Sequence, residues 1–174
     1  MSWWWRARRR SYRRVRDPRQ PEAGDWVELE GFVRCEHPVH DPVEGRPAVA
    51  LELRMWPPPT TVGVDGTMAL GARAFEVVVN QAVDFVLECE GQPVRVRMAH
   101  GQDAAGRYAE LVARHGVALR AEVTRVEPGA RARVLGRVQE GFRGRTRSPH
   151  RREPWVMEVQ ADRLIPLALP ERAR

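Results

Sequence analysis

The densest group of side chains able to do chemistry is Cys35-x-His37-x-x-His40, followed by Asp41. A strand end running into a turn could present a thiolate and two imidazoles to Zn²⁺, with water in the fourth place of an open tetrahedral site. Spacings of two and three on an extended chain split these residues between opposite faces. Cys35 therefore reads as an apolar strand residue, and His37 and His40 as decoration of a Pro-rich turn. His100 and His115 fall near loop or helix ends and read as surface residues, so no metal or other cofactor is expected. The serines are Ser2, Ser11 and Ser148, and none lies in Gly-x-Ser-x-Gly. The carboxylate pairs Glu28 with Glu30 and Glu88 with Glu90 fall on strand exteriors. Gly141 to Gly144 is basic and lies between strands, so it does not form a phosphate loop ahead of a helix. An enzyme is not expected.

The second chemistry is electrostatic. All 29 positive side chains are Arg, against 23 acids, for a net charge of +6. Residues 1–20 carry eight Arg and one Asp, a net of +7, whereas Pro21 to Glu140 carries 13 Arg and 18 acids, a net of −5. The basic character belongs to appendages on a mildly acidic body. In the N-terminal arm Trp3, Trp4 and Trp5 precede Arg6, Arg8, Arg9 and Arg10, followed by Tyr12, Arg13 and Arg14. A second run holds Arg143, Arg145, Arg147, Arg151 and Arg152. On an anionic membrane the indoles would sit at the interface and the guanidinium groups among the headgroups. On nucleic acid, Arg would contact phosphate while rings stack on bases. These residues form the candidate site, and the partners it implies are an anionic membrane surface, a protein or, alternatively, single-stranded nucleic acid.

The elements that must hold these groups are mostly strands. Trp26 to Glu36 alternates, with Trp26, Glu28 and Glu30 on one face and Val27, Leu29 and Gly31 on the other. Ala48 to Trp56 places Val49, Leu51, Leu53 and Met55 opposite Glu52 and Arg54, and the two strands are expected to pair antiparallel. Phe85, Leu87 and Cys89 share a face with Val94, Val96 and Met98 across Glu90-Gly91, the clearest hairpin. Asp103 to His115 reads as a helix, capped by Asp103 and stopped by Gly116. Ala121 to Val126 is ambiguous. Ala130 to Gln139 points Arg131, Arg133 and Arg137 outward and Ala132, Val134 and Val138 inward. Trp155 to Val159 and Leu164 to Leu169 close the body. Six to seven strands and one short helix, with short connections, predict a mainly β fold: a small OB-like barrel or sandwich.

The expected organisation is a flexible basic tail over 1–23, one β-barrel domain over 24–170 with a basic hairpin loop at 141–153, and a short C-terminal tail over 171–174. Two cysteines outside any Cys-x-x-Cys pair suit a reducing compartment. No apolar run approaches the roughly 18 residues of a spanning helix. The Trp cluster precedes the Arg run, the reverse of a secretion signal. A cytoplasmic protein, peripheral to the inner face of a membrane when bound there, is the expectation.

One family combines these features. Its elements here are Glu30-Gly31-Phe32-Val33-Arg34, the turn from Pro38 through Asp41-Pro42 to Gly45-Arg46-Pro47, Val49 to Leu53, Asp84 to Leu87 with Gly91, and Pro128-Gly129 ahead of Ala132 to Val138. From about Val27 to Leu169 the chain resembles the GIDE-type domain, the β-rich, non-RING domain of a mitochondrial ubiquitin ligase that also occurs in bacterial proteins of unknown role. The resemblance implies a fold and carries no site residue. Ligase activity in that family needs a RING module with eight Cys or His ligands at zinc spacings, and two Cys do not supply it. The expected function is a non-catalytic binding or scaffold module held at an anionic membrane by its arm, with a single-stranded nucleic-acid binder as the alternative.

Overall fold

The computed structural model describes residues 11–56, 76–140 and 155–167. In chain order the strands are β1 (Arg13–Arg14), β2 (Trp26–Arg34), β3 (Val39–His40), β4 (Pro47–Ala48), β5 (Ala50–Trp56), β6 (Val77–Ala82), β7 (Phe85–Cys89) and β8 (Gln92–Arg97). Helix α1 (Ala104–His115) follows, then β9 (Arg120–Val126), β10 (Arg131–Glu140) and β11 (Met157–Pro166).

Five strands close into a barrel in the order β2-β10-β11-β8-β7, sealed where Phe32, Val33 and Arg34 pair with Glu88, Leu87 and Val86. Neighbours are antiparallel except β8 and β11, which run parallel. The period-two alternation of each strand fills the interior. Val27, Leu29 and Val33 meet Leu87, Val94, Val96, Val134, Val138, Met157, Val159 and Leu164, all buried. Closure requires backbones to approach closely at two glycines. A Cβ on Gly31 would lie 2.3 Å from the Glu88 carbonyl oxygen, and one on Gly136 would lie 2.4 Å from that of Gln160. The β10–β11 register slips between Leu135 and Gly136, the bulge expected of a strand that bends around a small barrel. The result is the mainly β, OB-like barrel expected, with one short helix.

A second sheet, β6-β5-β9, carries α1 on one face, where Leu51, Leu53, Met55 and Val79 meet Ala104, Leu111 and Leu119. Asp103 caps the helix by accepting from the Ala105 N–H at 3.1 Å, and Gly116 ends it in the left-handed region at φ 66°. Val49, Ala50, Ala82 and Val126 join the barrel core, so the two parts share packing.

Three expectations are corrected. The strands holding Trp26 and Trp56 do not pair: β2 lies between β10 and β7, while β5 lies between β6 and β9. Apolar faces alone are compatible with many neighbours. Glu52 is not on an outer, solvated face but is 3 % exposed, with Oε1 accepting from Arg54 Nε at 2.8 Å. The flexible tail does not extend to residue 23. Arg13 and Arg14 pair parallel with Val27 and Glu28, the Val15 N–H donates to the Glu28 carbonyl at 2.9 Å, and Val15 is buried in the barrel core. The overhang of β2 beyond the shorter β7 leaves an edge that β1 covers. Of the expected loops and tails, 141–153 and 171–174 lie outside the described residues.

Candidate functional site

Of the candidate residues, Trp3, Trp4, Trp5, Arg6, Arg8, Arg9, Arg10, Arg143, Arg145, Arg147, Arg151 and Arg152 lie outside the described residues. What the structure places is where their segments attach. The arm is rooted by Tyr12, whose ring meets Trp26 edge-on at 6.0 Å and whose hydroxyl donates to Asp162 Oδ2 at 3.1 Å. Arg137 stands over the other ring of this group, Trp26, at 5.9 Å. Arg13 is exposed, and Arg14 is paired with Glu30 at 3.3 Å.

Strand direction then gathers the points from which the basic segments leave. β2, β8 and β11 begin, and β7 and β10 finish, at one end of the barrel. The start of β2 is stitched to the finish of β10: Gly24 N–H donates to Val138 O at 2.8 Å and Val138 N–H to Asp25 O at 2.9 Å. β10 finishes at Glu140, one foot of the Arg-rich loop. The other foot is Trp155-Val156, where the Val156 N–H donates to Pro93 O at 2.8 Å and Arg95 lies 4.5 Å over the Trp155 ring. Arg19 reaches the neighbouring Gln92 at 2.9 Å. The arm and both feet of the loop therefore share one barrel end.

The barrel wall is different, because most of its guanidinium groups face carboxylates. Glu30 takes Arg14, Arg131 and Arg133, Glu158 takes Arg95 and Arg97, and Glu88 takes Arg34. Hydrogen bonding from Arg133 is the chief influence on Glu30. With Arg14 and Arg131 it outweighs the opposing effect of burial and holds the carboxyl below its ordinary value. Among the described residues, Arg13 and Arg16 are exposed and enter neither an ion pair nor a ring contact. Both belong to the arm.

Two clefts open on the wall. One, of about 580 Å³, lies where β1 gives way to β7 and is lined by Arg14, Arg16, Glu30, Phe32, Glu90 and Arg131. The other, of about 620 Å³, lies beside the loop foot and is lined by Arg34, Cys35, His37, Asp84, Arg95 and Trp155.

Cys35, His37 and His40 are not brought together as a ligand set. His37 and His40 are exposed, while the Cys35 thiol turns toward the Asp84 carbonyl at 3.8 Å, and burial is the main cause raising its pKa. No group of three His, Cys, Asp or Glu placed to hold a metal occurs among the described residues. Asp41, the fourth member of that sequence cluster, has a separate role. It is 1 % exposed, accepts from the N–H groups of Val43, Glu44 and Arg46, and pairs with Arg125 at 3.2 Å. The turn chemistry of Asp41-Pro42 hinted at the local bonds. Nothing hinted at Arg125, which is 84 positions away.

No helix among the described residues is long and apolar enough to cross a membrane. No family model, no curated protein and no solved structure matches the chain.

Proposed function

We propose that this chain is a non-catalytic binding or scaffold module that sets one end of its barrel against an anionic membrane surface through the N-terminal arm, on the cytoplasmic side. The observation that carries this reading is that the arm and both feet of the Arg-rich loop leave from the same barrel end, while Arg34, Arg95, Arg97, Arg131 and Arg133 of the wall are already paired with carboxylates. The two basic segments thereby take root at one pole. A pole suits a flat surface. A groove suits a strand of nucleic acid, which needs open guanidinium groups along the wall and uncovered rings. Here Trp26, Trp56 and Trp155 are faced by Arg137, Arg120 and Arg95. We extend the fold of GIDE-type domains, without their ligase activity, to this chain.

The test is binding of the full chain to vesicles with and without phosphatidylserine, and to labelled single-stranded DNA, over a salt series. The comparison variant replaces Arg6, Arg8, Arg9 and Arg10 by Gln. Substitution is preferred to truncation at Pro21, because residues 12–15 belong to the barrel. At about 1 kcal/mol per Arg near the surface, the variant loses roughly a thousandfold in partitioning to acidic vesicles. Binding to DNA without binding to vesicles would replace this reading with the nucleic-acid one. Binding to neither would remove both.

A further inference from the structure

The β6-β5-β9 sheet has two edges, and the chain treats them differently. At β6 the edge is closed by the segment leading to α1: Gln81 bridges Gly101, Gln102 N–H donates to Asn80 O at 2.8 Å, and Ala82 N–H donates to His100 O at 3.0 Å. A Cβ on Gly101 would lie 2.1 Å from the Asn80 carbonyl oxygen, so this cover fits closely. Beyond β9 no strand is paired among the described residues.

The register identifies which groups that open edge presents. Asn80 O and Ala82 N–H bond away from β5, to Gln102 and His100, so the odd-numbered residues of β6 face β5; opposite them, odd-numbered residues of β5 turn their peptide groups toward β6 and even-numbered ones toward β9. Across the second ladder Glu52 faces Thr124 and Arg54 faces Glu122. Arg120, Glu122 and Thr124 therefore spend their N–H and C=O groups on β5, and those of Ala121, Val123 and Arg125 point outward. The side chains of Arg120 and Glu122 are 78 % and 61 % exposed; their mutual ion pair runs along the strand at 3.5 Å, where such a contact contributes little, and Arg120 also lies 5.2 Å over the Trp56 ring of β5.

We propose that this edge pairs with the same edge of a second copy of the chain, antiparallel about a two-fold axis at Ala121. Charge selects that register. With the axis at Ala121, each Arg120 lies opposite Glu122 of the other copy, giving two cross-strand ion pairs on one face. An axis at Glu122 would oppose two carboxylates, and one at Val123 would leave Arg120 opposite Val126. Charged side chains on an edge usually deter pairing. Here opposite signs two residues apart make the edge complementary to itself, and deterrence applies to partners of other sequence. The two sheets become one of six strands, and the contact is small enough to make a weak, concentration-dependent dimer.

Sedimentation of the full chain over a concentration series tests this. The expected result is a reversible monomer–dimer equilibrium. Val123→Pro removes an N–H that points away from β5, so it leaves the β5–β9 bonds intact and abolishes the dimer; because the Val123 side chain packs against the core under α1, a cooperative melt is kept at a lower midpoint. Arg120→Glu weakens the dimer by about tenfold, and adding Glu122→Arg restores it. A chain that stays monomeric at all concentrations overturns the proposal. So does a dimer that survives Val123→Pro, or one indifferent to Arg120→Glu.

Discussion

Replacing Asp41 by Asn tests whether a buried carboxylate organises the β3–β4 hairpin. Its Oδ1 accepts from the N–H groups of Val43 at 3.0 Å and Glu44 at 2.6 Å, and its Oδ2 accepts from Arg46 N–H and Arg125 Nη1, both at 3.2 Å. An amide keeps the first oxygen but puts an NH₂ group against two donors. Each donor left without an acceptor costs about 1–3 kcal/mol. Arg125 keeps Glu44 at 2.7 Å and Glu127 at 2.8 Å, so the total belongs near 3 kcal/mol and not at the sum of the upper limits. Urea denaturation at neutral pH reads this as a shift of the midpoint at unchanged slope.

The pH dependence supplies a second reading. Burial alone would raise the Asp41 pKa, but the three N–H groups and Arg125 outweigh it and hold the carboxyl below 3.8. A depressed folded value means the stabilisation is complete above the unfolded value and is lost as pH falls through the folded one. The gap between parent and Asn variant should therefore close in strong acid. A gap under about 0.5 kcal/mol at neutral pH would refute the reasoning, since that is the range of ordinary surface changes. So would a gap that persists unchanged in strong acid.

Three further outcomes follow from the same geometry. Gly31→Ala drives a Cβ into the Glu88 peptide at the barrel seam and should cost about 2–3 kcal/mol in a thermal or urea melt; a neutral result would mean that β2 and β7 separate freely. The Cys89 thiol is 2 % exposed and burial pushes its pKa up to about 12, so a thiol reagent at neutral pH should label it only as fast as the protein unfolds. The Val15 amide, bonded to Glu28, should exchange with deuterium far more slowly than that of exposed Arg16; equal rates would detach β1 from the barrel.

Much of the architecture was legible because alternation is a local property. Val27-Glu28-Leu29-Glu30 and Arg131 to Val138 show their inner faces in the spelling, and Asp103 and Gly116 bracket α1 through caps that act within one turn. The outer face of β10 read as a basic row, but the carboxylates that neutralise it, Glu28 and Glu30, are about a hundred positions away. β1 escaped because two arginines and one valine carry no periodicity, and only the overhanging edge of β2 gives them a place. The cluster at Cys35 was spelled closely and dispersed in space, since an extended chain turns neighbours apart.

The strand faces, the helix and the concentration of positive charge in two segments could be read from the chain alone, because period, caps and charge are written in neighbouring residues. Three facts emerged from the packed fold instead: β5 belongs to a second sheet, Asp41 meets Arg125, and both basic segments leave one pole of the barrel. The physical reason is that an apolar face specifies burial without naming its partner. Which strands become neighbours, and which of their ends coincide, is settled when the barrel closes over a common core.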